Sequence, residues 1–172
     1  MEKCNSSMQL TRAADYGVRV MIHLAGVARE GRVSLSALAE ATGSPDSFLS
    51  KVLQVLARAG LISSHRGQAG GFEISRMGRQ ASMREVIEAI DGPMCLNVCL
   101  SSGKSCARKM WCPAHPVWAK AQQAVLEILE SALIADLANE VKCNMPLVME
   151  QRLARGRTHP TELVRDVRAS GS

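Results

Sequence analysis

The chain has 172 residues, of which 47% are hydrophobic but only 3% aromatic, so it can form one compact domain with an appended helix and an aliphatic core that favours helices. Its formal charge of +5 and pI near 9.1 suit an anionic partner such as DNA without requiring one. No apolar run is long enough to cross a membrane, and the N-terminus is unlike a signal peptide. We therefore expect a cytoplasmic protein with no membrane partner, in which thiols stay reduced.

A first amphipathic helix is predicted to begin after the N-cap Thr11. Its apolar face, expected in the core, consists of Ala13, Gly17, Val20, Met21, Leu24 and Ala28. Its polar stripe consists of Arg12, Asp15, Arg19 and His23. The simplest interpretation of this stripe is a solvated face with an Asp15–Arg19 ion pair one turn apart.

Two helices joined by a tight turn are predicted next, the arrangement of a helix-turn-helix. Ser34 or Ser36 caps the first helix, Gly43 ends it, and Ser44 (N-cap) and Pro45 (first helical position) begin the second. The buried side of the second helix is predicted to contain Phe48, Leu49, Val52, Leu53 and Leu56, with Gly60 after its end. Its outer face carries Ser47, Ser50, Lys51, Gln54 and Arg58, of which the first four are the expected readers of DNA bases. Alone this pattern is weak, because any surface helix has a polar face.

The stretch "LISSHRGQAGGFEIS" predicts a β-hairpin, in which "LISS" and "FEIS" are the strands. Arg66 lies in the glycine-rich connection, where small neighbours let the backbone approach a phosphate or a narrow minor groove. An ordinary surface hairpin with one solvated arginine is the alternative. A helix-turn-helix followed directly by such a wing favours DNA binding.

Another helix is predicted from the capping box of Ser82 and Glu85 to Gly92-Pro93, with Val86, Ile87 and Ile90 on its buried side. After an irregular segment, Pro113 opens a long helix. Its apolar face contains Val117, Ala121, Val125, Ile128 and Ala132, with Trp118 and Leu129 beside them. A second copy of the chain would cover this face in a symmetric homodimer, and packing back on its own domain is the alternative. From about Glu140 we expect a flexible tail.

The segment between these helices concentrates possible metal ligands. Cys99, Cys106 and Cys112 are separated by six and five residues, and His115 follows Cys112 by two. The close pairs of cysteines typical of zinc knuckles and of redox C-x-x-C motifs are missing, which disfavours both. Wider spacing can wrap thiolates around an iron–sulfur cluster. The spacing alone leaves a cluster, zinc and a thiol sensor open.

The stretches "MQLTRAADYGVRVMIHLA", "HRGQAGGF" and "EVIEAIDGP", with the C-x(6)-C-x(5)-C-x(2)-H segment, together resemble the winged-helix repressor family of the iron–sulfur assembly regulator IscR and the nitric-oxide sensor NsrR. The resemblance covers roughly residues 8–137. It implies a mainly α fold with a small β-hairpin wing, namely a winged helix-turn-helix domain plus a long dimerisation helix. We assign residues 8–92 to the DNA-binding domain, 93–112 to a cluster-binding loop, 113–138 to the dimerisation helix and 139–172 to the tail.

The resemblance also implies that Cys99, Cys106 and Cys112 ligate iron, although this chain has one extra residue between the first two. In IscR-like members the fourth ligand is a histidine, matched by His115, which favours a 2Fe–2S cluster. In NsrR-like members it is an aspartate of the other subunit, matched by Asp15, which suggests 4Fe–4S. Either ligand would leave iron more easily than thiolate. We favour His115, whose alternative is a helix-start histidine bonded to backbone.

The remaining cysteines are assigned no ligand role. Cys95 is expected to be a buried loop thiol, with substitution for Cys99 as the alternative. Cys4 precedes the matched region and Cys143 lies in the tail, so both are expected to be incidental.

Three functions follow as hypotheses. The first is a homodimeric transcriptional repressor that binds double-stranded DNA and senses iron–sulfur status, redox state or nitric oxide through a labile cluster. The second keeps DNA binding but senses redox state through thiols or zinc. The third, an iron–sulfur or zinc enzyme, lacks support, because no catalytic constellation or cofactor fingerprint is recognisable. We therefore expect neither catalysis nor a small-molecule substrate.

Overall fold

The computed structural model describes residues 10–27, 31–67, 70–101 and 106–144, with side chains described up to residue 141. The helices and strands in these ranges are α1 (Arg12–Gly26), α2 (Leu35–Thr42), α3 (Asp46–Arg58), β1 (Ile62–His65), β2 (Gly71–Ile74), α4 (Arg76–Gln80), α5 (Met83–Asp91), a short 3-10 helix (Val98–Leu100), α6 (His115–Ser131) and α7 (Ile134–Asn144). The two strands form one antiparallel hairpin. The predicted fold class, mainly α with a β-hairpin wing, is confirmed.

The core surrounds α1, which packs against α2, α3, α5 and α7. Thr11 caps this helix by accepting a hydrogen bond from the Ala14 backbone, as predicted. The buried residues of α1 are Ala14, Gly17, Val18, Val20, Met21, Leu24 and Ala25. This differs from the predicted face in that Ala13 is only half-buried, and Ala28 lies outside the described residues. His23 is also half-buried rather than solvated, and its burial lowers its pKa.

The helix-turn-helix forms from α2 and α3. Ser34 caps α2, and Gly43 ends it with a φ of 69°, a left-handed conformation that favours glycine. The N-cap of α3 is Pro45, so the prediction of Ser44 as N-cap is wrong. Ser44 is 6% exposed, and its backbone N–H donates to the Ala39 carbonyl, so it belongs to the C-terminal end of α2 rather than to the start of α3.

The hairpin pairs Ile62 with Ile74 and His65 with Gly71 at its two ends. Val33 exchanges two backbone hydrogen bonds of 2.9 Å with Phe72, so the segment that leads into α2 pairs with the second edge of β2. The short helix α4 was not predicted. Its N-cap is Ser75, whose hydroxyl accepts from the Gly78 N–H at 2.9 Å and donates to the Gly60 carbonyl at 2.7 Å.

The predicted long helix is wrong in two respects. In the structure the helical region begins at His115 rather than Pro113, and it is divided into two helices, α6 and α7. At the break, the Met83 N–H donates to the Ala132 carbonyl at 2.8 Å and the Ile134 N–H donates to the Ala81 carbonyl at 3.0 Å. These backbone bonds hold Ala132 extended beside the N-terminus of α5, which the helical periodicity did not indicate.

The two helices that result have different surroundings. No residue of α6 is buried, whereas Ile134 and Ala138 of α7 are 0% and 2% exposed and belong to the core around α1. The capping box of Ser82 and Glu85 on α5 is present as predicted. None of the described helices is long and apolar enough to span a membrane.

Candidate nucleic-acid interface and ligand loop

The outer face of α3 presents the polar side chains predicted to read DNA. Ser47, Lys51 and Gln54 are exposed, and Ser50 is half-buried. The helix is held on its other side by Leu49, Val52, Leu53 and Leu56, which are buried as predicted. The anchored inner face leaves a row of hydrogen-bonding groups directed at solvent, as entry into a major groove requires.

Phe48 was predicted to be buried and is 37% exposed, which corrects that assignment. Its ring instead meets the edge of the Tyr16 ring on α1, at a centroid distance of 5.7 Å. The guanidinium carbon of Arg19 lies over the Tyr16 ring, 5.9 Å from its centroid, and Arg19 forms a 3.0 Å ion pair with Asp15. The predicted Asp15–Arg19 pair is therefore confirmed, and Tyr16 connects it to Phe48 of α3.

An open cavity of about 420 Å³ lies between α1, α3 and the end of α5. Its lining includes Phe48, Lys51, Val55 and Ile90. At its rim, Asp91 accepts hydrogen bonds from the Thr11 hydroxyl at 2.6 Å and from the Thr11 N–H at 3.2 Å. The last residue of α5 is thus bonded to the N-cap of α1.

The wing carries Arg66 directly after β1, exposed as predicted. On the hairpin itself, Glu73 accepts a 2.8 Å hydrogen bond from His65 Nε2 and lies 3.9 Å from Arg32 Nε. Sequence reasoning missed this cluster because it depends on the strand register.

The predicted cluster-binding loop, residues 93–112 and called the ligand loop below, is anchored at its start to two helices. The Met94 N–H donates to the Glu88 carboxylate of α5 at 3.2 Å, and the Leu96 N–H donates to Gln122 of α6 at 2.9 Å. Further along, the His115 N–H donates to the Cys112 carbonyl at 3.1 Å, which keeps these two residues within one turn.

Cys99, Cys106 and Cys112 are half-buried free thiols. Among the residues that the structure describes, no three His, Cys, Asp or Glu side chains are gathered as a metal site, so these cysteines and His115 are not brought together. Asp15 lies on the exposed face of α1, engaged with Arg19.

Among the candidate ligands in the described part of the chain, only His115 has a buried polar side-chain atom without a hydrogen-bond partner. Its Nδ1 atom is buried and has no hydrogen-bond partner there. A buried ring nitrogen without a partner costs free energy, and a metal bond would satisfy it. The residues present therefore fit an iron–sulfur cluster in donor chemistry, as three thiols and one imidazole, although they are not preassembled.

Cys95 differs from its prediction. It is half-buried and disulfide-bonded, so the expectation of a buried free thiol is wrong, and in this form it cannot replace Cys99 as a ligand. Cys4 and the side chain of Cys143 lie outside the described residues.

Comparison with known proteins gives a consistent result. The model of the Rrf2 family, described as iron-dependent transcriptional regulators, matches residues 10–140. An HTH-type transcriptional regulator of Mycobacterium tuberculosis (strain CDC 1551 / Oshkosh) is 33% identical over 131 residues, covering 76% of this chain and 81% of its own. The protein rrf2 of Nitratidesulfovibrio vulgaris is 27% identical, covering 77% of this chain and 89% of its own.

Solved structures with the same fold include two named regulators. CymR, the global cysteine regulator of B. subtilis, superposes with a TM-score of 0.64 at 26% identity, covering 78% of this chain and 98% of its own. IscR of T. potens superposes with a TM-score of 0.63 at 27% identity, covering 81% and 93%.

Proposed function

The chain belongs to the Rrf2 family of transcriptional regulators and is therefore not an enzyme, and we propose that it is a homodimeric repressor. In this proposal it reads its operator with α3. It senses iron–sulfur status, redox state or nitric oxide through a labile cluster. The observation that carries the DNA-binding part is the exposed polar face of α3, followed directly by a wing with an exposed arginine. Action on DNA is consistent with the cytoplasmic location expected from the sequence.

In this proposal Ser47, Ser50, Lys51 and Gln54 contact base edges, and Arg66 contacts a phosphate or the minor groove. The operator is first selected from a random duplex library with the wild-type protein. A Lys51→Ala/Gln54→Ala variant should then bind it more weakly by about 1–3 kcal/mol and accept a wider set of sequences, whereas Arg66→Ala should weaken binding to all sequences alike. An unchanged sequence preference in the double variant would remove α3 as the reader.

Cys99, Cys106, Cys112 and His115 would hold the cluster, with 2Fe–2S favoured over 4Fe–4S. The support is the partnerless Nδ1 of His115 and the three free thiols. Bound iron would supply a redox- and nitric-oxide-reactive centre whose loss the protein can register. Asp15 of a second subunit is the alternative fourth ligand, and its exposure on α1 leaves it accessible.

The test is oxygen-free purification with iron and sulfide counted per chain, for wild type, His115→Ala and Asp15→Ala. We expect about two irons with matching sulfide, lost in His115→Ala and kept in Asp15→Ala. About four irons, lost in Asp15→Ala instead, would support the alternative ligand.

A thiol-based sensor is the second candidate, favoured by one observation. The three cysteines of the loop are free and are not gathered into a metal site in the described part of the chain. An iron-free protein whose DNA affinity changes when these thiols are oxidised, and returns on reduction, would establish it.

The homodimer is supported by the apolar surface of α6. Four large apolar side chains of this helix are 38–67% exposed, namely Val117, Trp118, Val125 and Ile128. An exposed apolar patch of this kind typically marks a surface that binds another protein. A second copy would cover this face and place two reading helices on one operator.

A further inference from the structure

Three charged or hydrogen-bonding side chains meet on one face of the wing. Glu73 uses both carboxylate oxygens: Oε1 accepts a hydrogen bond from His65 Nε2 at 2.8 Å, and Oε2 lies 3.9 Å from Arg32 Nε. All three side chains remain partly accessible, at 44% for Arg32, 31% for His65 and 30% for Glu73. An acid is therefore placed between two basic groups on a surface expected to face polyanionic DNA.

The strand register explains how these residues meet. Ser63 lies opposite Glu73 and His65 opposite Gly71, so His65 and Glu73 are diagonal neighbours on the face opposite the buried Ile62 and Ile74. Arg32 joins them because the next residue, Val33, is bonded to β2 through Phe72. The cluster thus fastens the segment before α2 to the hairpin.

Two effects of Glu73 on DNA binding oppose each other. Its negative charge repels phosphates, and this effect alone makes its removal tighten binding. Its attraction draws the Arg32 guanidinium, with Nε 3.9 Å from Oε2, toward the sheet surface, and its 2.8 Å hydrogen bond holds His65, the residue immediately before Arg66. A long arginine that is already held in place loses less rotamer entropy when it binds a phosphate.

We propose that Arg32 is a phosphate-binding residue of the wing and that Glu73 is its positioning residue, acting also on Arg66 through His65. This proposal rests on the DNA-binding function proposed above. It assigns to the segment before α2, outside both the reading helix and the hairpin connection, a contact that sets affinity without reading sequence.

The experiment measures binding to a fluorescent duplex of mixed sequence, about 30 base pairs long, at several salt concentrations, because phosphate contacts need no operator. The variants are Arg32→Ala, Glu73→Ala, Glu73→Gln and the double variant Arg32→Ala/Glu73→Ala. The matched control is Glu40→Ala, which removes the same charge from an exposed position on α2. Urea unfolding of each variant reports whether the fold is kept.

We expect Arg32→Ala to bind about threefold to tenfold more weakly and to lower the slope of log K against log salt by about 1. Glu73→Ala should also bind more weakly although it makes the protein more positive, whereas Glu40→Ala should bind as tightly as wild type or tighter. Glu73→Gln keeps an acceptor for His65 and should recover part of the loss. The double variant should be little weaker than Arg32→Ala alone, because Glu73 acts largely through Arg32.

The proposal is overturned if Glu73→Ala binds as tightly as wild type, or if the two single losses simply add in the double variant. If Glu73→Ala does not fold, an unchanged salt slope in Arg32→Ala overturns it instead. Failure of the wild type to bind any duplex would refute the DNA-binding function itself, which is a different result.

Discussion

A methyl group added at Gly78 would meet the backbone carbonyl of Leu61, since α4 packs directly against the start of β1. Backbone cannot move aside as a flexible side chain can, so Gly78→Ala should destabilise the protein by about 1–3 kcal/mol despite the better helix propensity of alanine. Urea unfolding measures this difference. Gln80→Ala, at an exposed position of the same helix, is the control and should change stability by less than about 0.5 kcal/mol. Equal stability of the two variants would contradict the close packing of α4.

We expect the free energy of unfolding to depend on pH through His23. Its burial lowers its pKa from the ordinary 6.5, so the folded protein binds this proton less readily than the unfolded chain does. The stability that it contributes is therefore fully present above the unfolded value and is lost as the pH falls through and below it. Urea midpoints should fall between about pH 7.5 and pH 5.5, and less steeply in His23→Gln than in wild type. Gln80→Ala, which changes an exposed side chain that does not titrate, is the control and should keep the wild-type steepness.

Individual residues also mark the limit of sequence-based prediction. The exposure of Lys51 and Gln54 follows from helical periodicity, and the capping box of Ser82 follows from local spacing, so both were predictable. The His65–Glu73 bond depends on the register of two strands, and the Thr11–Asp91 bond joins residues 80 positions apart. Neither is encoded in any local pattern.

Among the helices and strands, the break between α6 and α7 has the largest effect on packing. It allows α7 to pack in the core while α6 remains on the surface. Apolar residues continue through Ala132 and Leu133 with helical spacing, so the sequence indicates one helix. Competition from the backbone of residues 81–83, which offers hydrogen bonds to Ala132 and Ile134, ends α6 there. Such competition between a local helix and a distant strand-like pairing is settled only by tertiary structure.

The attachment of α7 to α1 can be tested at Ile134, which is 0% exposed. Ile134→Ala should lower the free energy of unfolding by about 2–5 kcal/mol, because it leaves a cavity between the two helices. Val141→Ala on the same helix, at a position 48% exposed, should cost far less. Similar costs for both substitutions in urea unfolding would show that α7 is not part of the core.

For the whole molecule, the exposed face of α6 predicts the oligomeric state. Ile128 is 67% exposed and lies on this face, so Ile128→Glu would place a charge in the proposed dimer interface. The dimer dissociation constant should rise by at least about a hundredfold, as measured by light scattering over a range of concentrations. Gln123→Glu, on another side of α6, should stay dimeric. A folded Ile128→Glu variant that remains as dimeric as wild type would exclude this face.

The attachment of the ligand loop to the helices at its two ends determines which sequence changes the loop can tolerate. Asp91 is bonded to Thr11, Met94 to Glu88 and Leu96 to Gln122, while the chain re-enters regular structure at His115. Since Leu96 and His115 are both tied to helices of the scaffold, we expect the residues between them to tolerate changes in length and composition without loss of the packing around α1. The spacing of Cys99 and Cys106, one residue longer than the resemblance implies, would be such a change. If the proposed function holds, segments with other metal-binding residues could replace the stretch between Leu96 and His115 while α3 and the hairpin stay unchanged, which would give regulators that respond to other signals.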